Sequence, residues 1–239
     1  MINIQPFSDA ELLNAFHTSD VATSKHLLTI YSLAIGLNAK IIIDLGIGST
    51  TRALRAAALK TGGVVISCDC DAKRFSSLLK LQDKHWQLYL GASETLLSSL
   101  EPPFDLVVHD AAHDYFQVKL DLELILPKMK TFGMICVHDT QQPDLNRNML
   151  AAIRDATKEH KISITHLPFN AGLSIIRVEA GNHPAITPKG GFLPDGRFDT
   201  QLIPFTPFSD GKEKVDIDAD DSSLRRWLRW KIRKFIKGW

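Results

Sequence analysis

Short apolar runs that end in polar residues alternate with amphipathic segments over most of the chain. Five of these runs have the length and the β-branched content of buried parallel strands, and they cover residues 41–44, 64–69, 86–90, 104–109 and 133–137. Two more runs, 162–167 and 173–178, are joined by the short link 170–172, which favours an antiparallel hairpin. The pattern predicts an α/β fold with a doubly wound, mostly parallel seven-stranded sheet and a terminal antiparallel hairpin.

The segments around the runs carry helix signals. Ser8 and Glu11 have the spacing of a capping box, Asp71 stands at an N-cap position, and Gly62 with Gly63 marks a helix end. We expect helices at about residues 8–17, 21–37, 50–60, 71–81, 94–100, 115–129 and 146–160. The first two precede the alternating pattern, so they are additions that either cover a pocket or pack on the sheet.

The amino-acid composition of the chain changes after residue 180. Residues 181–221 are rich in proline and glycine and include an acidic run, which is typical of a loop segment. Residues 222–239 have apolar side chains at helical spacing and seven cations without an acid, which predicts a basic amphipathic helix. We therefore divide the chain into a domain at 1–180, a loop segment at 181–221 and a terminal helix at 222–239.

Charge limits the partners that the chain can have. The net charge is +1 overall, so with seven cations in the terminal segment the remainder carries a net −6. A mildly acidic body lacks the clustered cations that bind nucleic acid, and we expect no nucleic-acid partner. For the terminal helix two interpretations stay open: peripheral contact with an anionic membrane surface, or docking onto this protein or onto a second copy in a homodimer.

Length and composition favour a single domain with additions. The chain has 239 residues, of which 44% are hydrophobic, enough for a sizeable core. Three cysteines do not make a disulfide framework, and no apolar run reaches the length of a membrane span or a signal sequence. We therefore expect a cytoplasmic protein.

Polar residues gather where the predicted strands end. Asp44 is followed by Gly46 and Gly48 in a turn that admits a ligand, and Asp69 ends the next strand, where a carboxylate can accept both hydroxyls of a ribose. Thr51 stands where a dinucleotide fingerprint needs its third glycine, which weakens a nicotinamide or flavin interpretation. The carboxyl ends of parallel strands lie at one edge of a sheet, so these residues predict a nucleoside site there.

These motifs, with the turn 91–94 of sequence Gly-Ala-Ser-Glu, resemble the class I S-adenosylmethionine-dependent methyltransferases over about residues 20–180. The resemblance implies S-adenosylmethionine as cofactor and assigns parts of it to residues at matching positions. The methionine end goes to Asp44 and Gly46, and the ribose goes to Asp69. Gly48 and Ser49 of the same turn are expected to bind the cofactor as well. The adenine goes to Ser93 and Glu94.

A second, narrower resemblance concerns the segments 104–115 and 134–140. They are similar to metal-assisted sugar O-methyltransferases and to the cephalosporin-hydroxylase-like group. The resemblance implies a divalent metal, Mg²⁺ or Mn²⁺, held by Asp110 and the pair His138 and Asp139, with Asp110 also near the cofactor and His113 as the catalytic base. An imidazole suits Mg²⁺ poorly, so either His138 points away or the metal is a softer ion such as Mn²⁺, Fe²⁺ or Zn²⁺.

Together these observations predict an enzyme that transfers a methyl group from S-adenosylmethionine to a hydroxyl of a small molecule, with a sugar as the leading acceptor and with help from a metal. Two alternatives stay open. One is a hydroxylase-like relative on the same fold, and the other is a cofactor-binding scaffold without catalysis, tethered by its terminal helix.

Overall fold

A computed structural model of the chain describes residues 3–19, 23–141 and 148–184. Within these ranges all seven predicted strands are present and form one sheet. The strands are β1 (Ile41–Leu45), β2 (Val64–Asp69), β3 (Trp86–Leu90), β4 (Phe104–His109), β5 (Met129–His138), β6 (Ile162–Leu167) and β7 (Leu173–Val178). Their order in the sheet is β3-β2-β1-β4-β5-β7-β6, which confirms the predicted seven-stranded α/β architecture.

The parallel part of the sheet is centred on β1. Ile43 of β1 pairs with Ile66 of β2 on one side and with Val107 of β4 on the other. These central strands are buried on both faces, as their continuous apolar sequence predicts. β7 runs antiparallel to both β5 and β6, so the expected terminal hairpin is confirmed.

Helices fill the connections. They are α1 (Asp9–Thr18), α2 (Ser24–Gly36), α3 (Ser49–Thr61), α4 (Ala72–Phe75), α5 (Ser93–Ser99), α6 (Tyr115–Ile125) and α7 (Met149–Thr157). The capping box of Ser8 with Glu11 is formed, and Gly62 ends α3 in the left-handed conformation with φ +68°. The first two helices pack onto α3 through the buried side chains of Leu12 and Leu27.

Two predicted helices leave the α conformation early and end in 3₁₀ turns. The helix capped by Asp71 leaves the α conformation after Phe75 and continues as a 3₁₀ helix over Ser76–Leu81, starting at serines that favour helices only weakly. α6 ends at Ile125 because Pro127 cannot continue an α-helix, and a 3₁₀ turn leads directly into β5. β5 therefore begins at Met129, four residues before the predicted start.

Two of the three predicted parts of the chain fall largely outside the description. The loop segment 181–221 is described only through residue 184, and the terminal basic helix at 222–239 lies wholly beyond the described residues. Both stay predictions. In the described ranges, the longest helices fall short of the length and apolar character that crossing a membrane requires.

An acidic side chain is enclosed in the centre of this fold. Asp44 of β1 has no exposed surface, and its Oδ2 accepts hydrogen bonds from Ser67 Oγ at 2.6 Å and Thr51 Oγ1 at 2.7 Å. Its Oδ1 has no hydrogen-bond partner among the described residues. Burial raises the pKa of Asp44 to about 7, because the charged form is poorly solvated there.

This burial predicts a pH-dependent stability. An unfolded aspartate loses its proton near pH 4, whereas folded Asp44 keeps it up to about pH 7, so the contribution of Asp44 to stability is lost as the pH rises through that window. Asp44→Asn stays neutral at every pH and keeps an acceptor oxygen. The unfolding free energy of the variant minus that of the wild type should therefore rise by roughly 2 to 4 kcal/mol as the pH increases from about 4.5 to 8.

Urea unfolding at several pH values measures this difference. The matched control is Glu159→Gln, which removes an exposed carboxylate and should not change the pH profile. A difference between Asp44→Asn and wild type that is constant over the whole range would show that Asp44 is ionised in the folded protein throughout.

Candidate active site

The turn after β1 brings two loops of the sheet edge into contact. Gly46 has φ +101°, and a Cβ on this residue would lie 2.1 Å from the backbone carbonyl oxygen of Asp110, in the loop after β4. Glycine is therefore required here both for its conformation and for the close approach. Among the described residues, apart from the chain neighbours of Gly48, no atom lies within 4 Å of the corresponding position on that residue, so the turn has open space beside it.

Thr51 explains why the third glycine of a dinucleotide fingerprint is absent. Its hydroxyl donates to Asp44 Oδ2 and accepts a hydrogen bond from the Gly48 backbone N–H at 3.0 Å. The threonine thus ties the turn to the buried carboxylate. We expected Asp44 to line the crevice, but it lies beneath the rim because these hydroxyls hold its carboxylate inward; Gly46, Gly48 and Ser49 of the same turn are at least partly exposed.

Asp69 lies at the rim where the ends of three strands meet. Its Oδ2 accepts the Ile47 backbone N–H at 3.1 Å and its Oδ1 accepts the Asp71 N–H at 2.8 Å. Its carbonyl oxygen accepts the Gly91 N–H at 2.8 Å. Each carboxylate oxygen has a further lone pair, so Asp69 can still accept hydroxyl donors from a ligand.

Two aspartates and two histidines form an acid–histidine cluster at the ends of β4 and β5. His138 Nδ1 lies 2.9 Å from Asp139 Oδ1 and 3.2 Å from Asp110 Oδ1. His113 Nε2 lies 3.2 Å from Asp139 Oδ2 and 3.5 Å from Asp110 Oδ1. In the described part of the chain neither of these ring nitrogens makes a well-aligned hydrogen bond, so the four side chains meet as close polar contacts.

The charges in the acid–histidine cluster stabilise one another. Burial alone lowers the pKa of His138, but the carboxylates of Asp110 and Asp139 outweigh it and raise that pKa to about 9. Burial alone raises the pKa of Asp110, but His113 and His138 outweigh it and hold that pKa below its usual range. At neutral pH His138 is therefore a cation between carboxylates. Asp139 has φ +58°, a conformation that aspartate tolerates better than most residues.

Part of this cluster has the donor set of a metal site. Ligand atoms of Asp110, His113 and Asp139 all lie within 4.8 Å of one another, and all three side chains are partly exposed. Two carboxylates with an imidazole suit Mn²⁺ or Fe²⁺ better than Mg²⁺. His138 is only 1% exposed and touches the two carboxylates, so its assignment as a ligand stays a prediction, with His113 the more accessible imidazole.

His26 of α2 lies beside the site and was not predicted from the sequence. Its ring is fully buried, stacks on Phe169 with centroids 4.8 Å apart, and meets the edge of His138 at 5.3 Å. His26 Nε2 lies 2.9 Å from the Phe169 carbonyl oxygen, which ties α2 to the β6–β7 turn. Its position next to the apolar residues Leu27 and Ile30 of the predicted helix could have indicated that His26 is buried.

A buried polar network between α6, the start of α5 and the end of β4 was also not predicted. Asp121 of α6 has no exposed surface, and its carboxylate accepts Ser93 Oγ at 2.9 Å and faces His109 Nε2 at 3.0 Å. Gln117 Nε2 contacts Asp121 Oδ1 at 3.0 Å and Glu94 Oε2 at 3.4 Å. Ser93 and Glu94, expected at the adenine, are thus joined to this network. An acid among the apolar positions of α6 could have indicated it.

Comparisons with known proteins agree with this architecture. Residues 43–140 match a family model described as a methyltransferase domain, a stretch that includes Asp44, Asp69, Asp110 and Asp139. No curated protein shows significant sequence similarity to the chain.

Solved structures share the fold at low sequence identity. An O-methyltransferase from Bacillus cereus in complex with S-adenosylhomocysteine has 16% identity and a TM-score of 0.54, with 72% of this chain and 92% of that chain covered. An O-methyltransferase family protein from Burkholderia thailandensis has 13% identity and a TM-score of 0.50, with 67% and 57% covered. A TDP-rhamnose 3′-O-methyltransferase of calicheamicin biosynthesis has 16% identity and a TM-score of 0.50, with 72% and 88% covered.

At these identities the structural likeness establishes the fold, and the family match adds the domain type. The resemblance to methyltransferases, which the glycine turn and the strand-end acids indicated, is confirmed for the fold and for the type of domain. Residues 43–140 of this chain thus match a methyltransferase domain, and the described residues share the fold of solved O-methyltransferases.

Proposed function

We propose that this protein transfers the methyl group of S-adenosylmethionine to a hydroxyl of a small molecule, with a divalent cation at the acid–histidine cluster. One observation carries the proposal: Gly46, in the turn that we assign to the nucleoside, lies against the backbone of Asp110, a member of that cluster. Methyl donor and acceptor must meet within a few ångströms for the reaction to occur, and this contact brings their two half-sites together.

The turn side of the rim suits the cofactor. Asp69 offers lone pairs to the ribose hydroxyls, and the open space beside Gly48 allows the backbone to approach a ligand closely. Asp44 acts from beneath, by holding Thr51 and so the shape of the turn.

The cluster side suits an activated hydroxyl. Asp110 and Asp139 would hold the cation, which when bound supplies positive charge that makes the acceptor hydroxyl easier to deprotonate. The side chain of His113 is 21% exposed, but its Nε2 faces both carboxylates. With the cation on those carboxylates, Nε2 would be released from them and would take the hydroxyl proton. The acceptor oxygen then bonds to the methyl carbon as the carbon–sulfur bond of the cofactor breaks, leaving the thioether S-adenosylhomocysteine.

Among possible acceptors, we favour a sugar or another polyol. Neighbouring hydroxyls can bind a cation together, which fixes one of them in place for reaction. The neighbour of the same fold that is named for a TDP-rhamnose supports this class. The acidic body of the chain argues against nucleic acid as acceptor.

The ribose contact leads to a binding prediction. Asp69→Ala should weaken S-adenosylhomocysteine binding by about 2 to 4 kcal/mol, because charge-assisted hydrogen bonds to two hydroxyls are lost. Titration calorimetry measures this change. Asp71→Ala is the matched control: it alters the same loop, where Asp71 caps α4, and should change affinity less than about threefold. Equal losses in both variants would assign the effect to loop order and remove Asp69 from the site.

The base assignment leads to a kinetic prediction. His113→Ala should lower turnover by roughly 10² to 10⁴, because the acceptor hydroxyl loses its proton acceptor, while S-adenosylhomocysteine binding stays intact. Turnover is followed as formation of S-adenosylhomocysteine with a panel of sugars and polyols in the presence of Mn²⁺.

The control for that loop is Asp114→Asn, which alters the exposed cap of α6 and should retain turnover. Mn²⁺ titration of His113→Ala separates two roles: retained affinity is expected of a base, whereas a loss of about tenfold or more would make His113 a metal ligand. Full turnover in a chelator would reject the cation, and full turnover of His113→Ala would reject the base.

A further inference from the structure

The β6–β7 turn, residues 168–172, has a backbone conformation that its sequence does not favour. Asn170 and Ala171 both have positive φ, at +46° and +66°. This left-handed region is uncommon for residues other than glycine, and alanine lacks the polar side chain that lets asparagine tolerate it. Such a conformation persists where the surrounding structure holds it, so the turn depends on its contacts with other elements.

One of these contacts comes from α2. His26 Nε2 lies 2.9 Å from the carbonyl oxygen of Phe169 and 3.2 Å from that of Asn170. Because carbonyl oxygens only accept, this nitrogen must carry a hydrogen and donate it to the turn. The Phe169 ring also stacks on the imidazole, with an interplanar angle of 20°. His26 is fully buried, so its donor holds the turn from inside the fold.

The other contact is with the loop after β5. The Gln141 N–H donates to the Ala171 carbonyl oxygen at 2.8 Å, and the Thr140 N–H reaches that of Gly172 at 3.4 Å. Gly172 has φ +84°, and a Cβ on it would lie 2.8 Å from the Gln141 backbone nitrogen. Thr140 Oγ1 also accepts from Ser174 Oγ of β7 at 3.0 Å. The turn and this loop therefore pack backbone against backbone.

Asp139 lies between two fixed points of this loop. Before it, His138 still pairs with Leu173 in the sheet, and after it Gln141 is bonded to Ala171. Two residues of the loop thus stand opposite one residue of the turn, as in a β-bulge, and Asp139 takes φ +58°. A bulge of this kind re-aims a side chain. The position of the turn therefore decides where the Asp139 carboxylate points.

We infer that His26 is a positioning residue for Asp139: it locks the β6–β7 turn, and the locked turn holds the Asp139 carboxylate within 4.8 Å of that of Asp110. The inference rests on the proposed function, in which these two carboxylates hold the cation. A ligand that is already in place binds an ion more tightly because it need not be ordered first. Partners behind metal ligands typically contribute about tenfold to a hundredfold in affinity.

Two substitutions of His26 test its donor. His26→Phe keeps a flat ring against Phe169 but cannot donate to the turn, whereas His26→Gln loses the ring and keeps an amide N–H. By calorimetric titration, Mn²⁺ affinity should fall about tenfold or more in His26→Phe and stay within about threefold of wild type in His26→Gln. Unchanged affinity in His26→Phe would overturn the inference. Equal losses in both variants would assign the effect to packing and overturn the role of the donor.

Hydrogen exchange tests the lock without a metal. The Gln141 amide, which is bonded to Ala171, should exchange about tenfold or more faster in His26→Phe than in wild type. Weaker Mn²⁺ binding with unchanged exchange would overturn the route through the turn. A wild type that binds no Mn²⁺ would reject the cation of the proposed function, and exchange of the Gln141 amide would still decide whether His26 locks the turn.

His85→Phe is the matched control. His85 Nδ1 lies 2.8 Å from the Gly63 carbonyl oxygen, and His85 precedes β3, at the end of the strands opposite the acid–histidine cluster. The same substitution there should leave Mn²⁺ affinity and Gln141 exchange within about threefold of wild type. Losses as large as those in His26→Phe would show a general loosening of the fold and overturn the specific role of His26.

Gly172→Ala tests the second half of the lock with His26 intact. Its Cβ would press on the Gln141 backbone, so the turn should separate from the loop and both readouts should change as in His26→Phe. Circular dichroism shows which variants fold. Wild-type Mn²⁺ affinity and exchange in Gly172→Ala would overturn the link from the turn to Asp139, whether or not His26→Phe folds.

Discussion

The close approach of the loop after β1 to the loop after β4 is the constraint on which the site depends. Leu45 O accepts the Asp110 N–H at 2.8 Å, and the Gly46 backbone lies against the Asp110 carbonyl where even a methyl group would not fit. Because β1 and β4 are neighbouring parallel strands, their carboxyl ends coincide and the two loops must share this edge. The glycine turn and the acid–histidine cluster thereby lie side by side at one edge of the sheet.

Charge balance governs the rest of the rim. Asp110 and Asp139 would repel each other if they were alone, and His138, almost fully buried beneath them, supplies the compensating positive charge. His113 approaches the same carboxylates from the more exposed side. His26 links this arrangement to α2 and to the β6–β7 turn, so the N-terminal helices contribute to the site as well as to the packing on α3. The cluster is thus tied to α2 and the β6–β7 turn as well as to the strands that carry it.

Strong, local patterns in the sequence were enough to predict the strands and the edge of the sheet that carries the site. Every strand was found because buried parallel strands are short apolar runs, and their carboxyl-end residues could be gathered at one edge by the fold rule alone. Such local patterns could not predict which side chains lie close together. That Asp44 turns inward depends on hydroxyls 7 and 23 residues away, and that Asp121 meets His109 and Ser93 depends on how α6 packs. The early start of β5 at Met129 likewise depends on Pro127 and on pairing with Phe104, a partner distant in sequence.

The central claim is that a single edge of the sheet binds both the cofactor and a cation. A crystal structure of the protein with S-adenosylhomocysteine and Mn²⁺ tests it most directly, because the anomalous signal of manganese locates the ion independently of the nucleoside. We predict that the ribose binds at Asp69 and that manganese binds between Asp110 and Asp139. The two ligands should lie on opposite sides of the Gly46 turn. Nucleoside density away from Asp69, or manganese bound outside the acid–histidine cluster with both carboxylates unliganded, would contradict it.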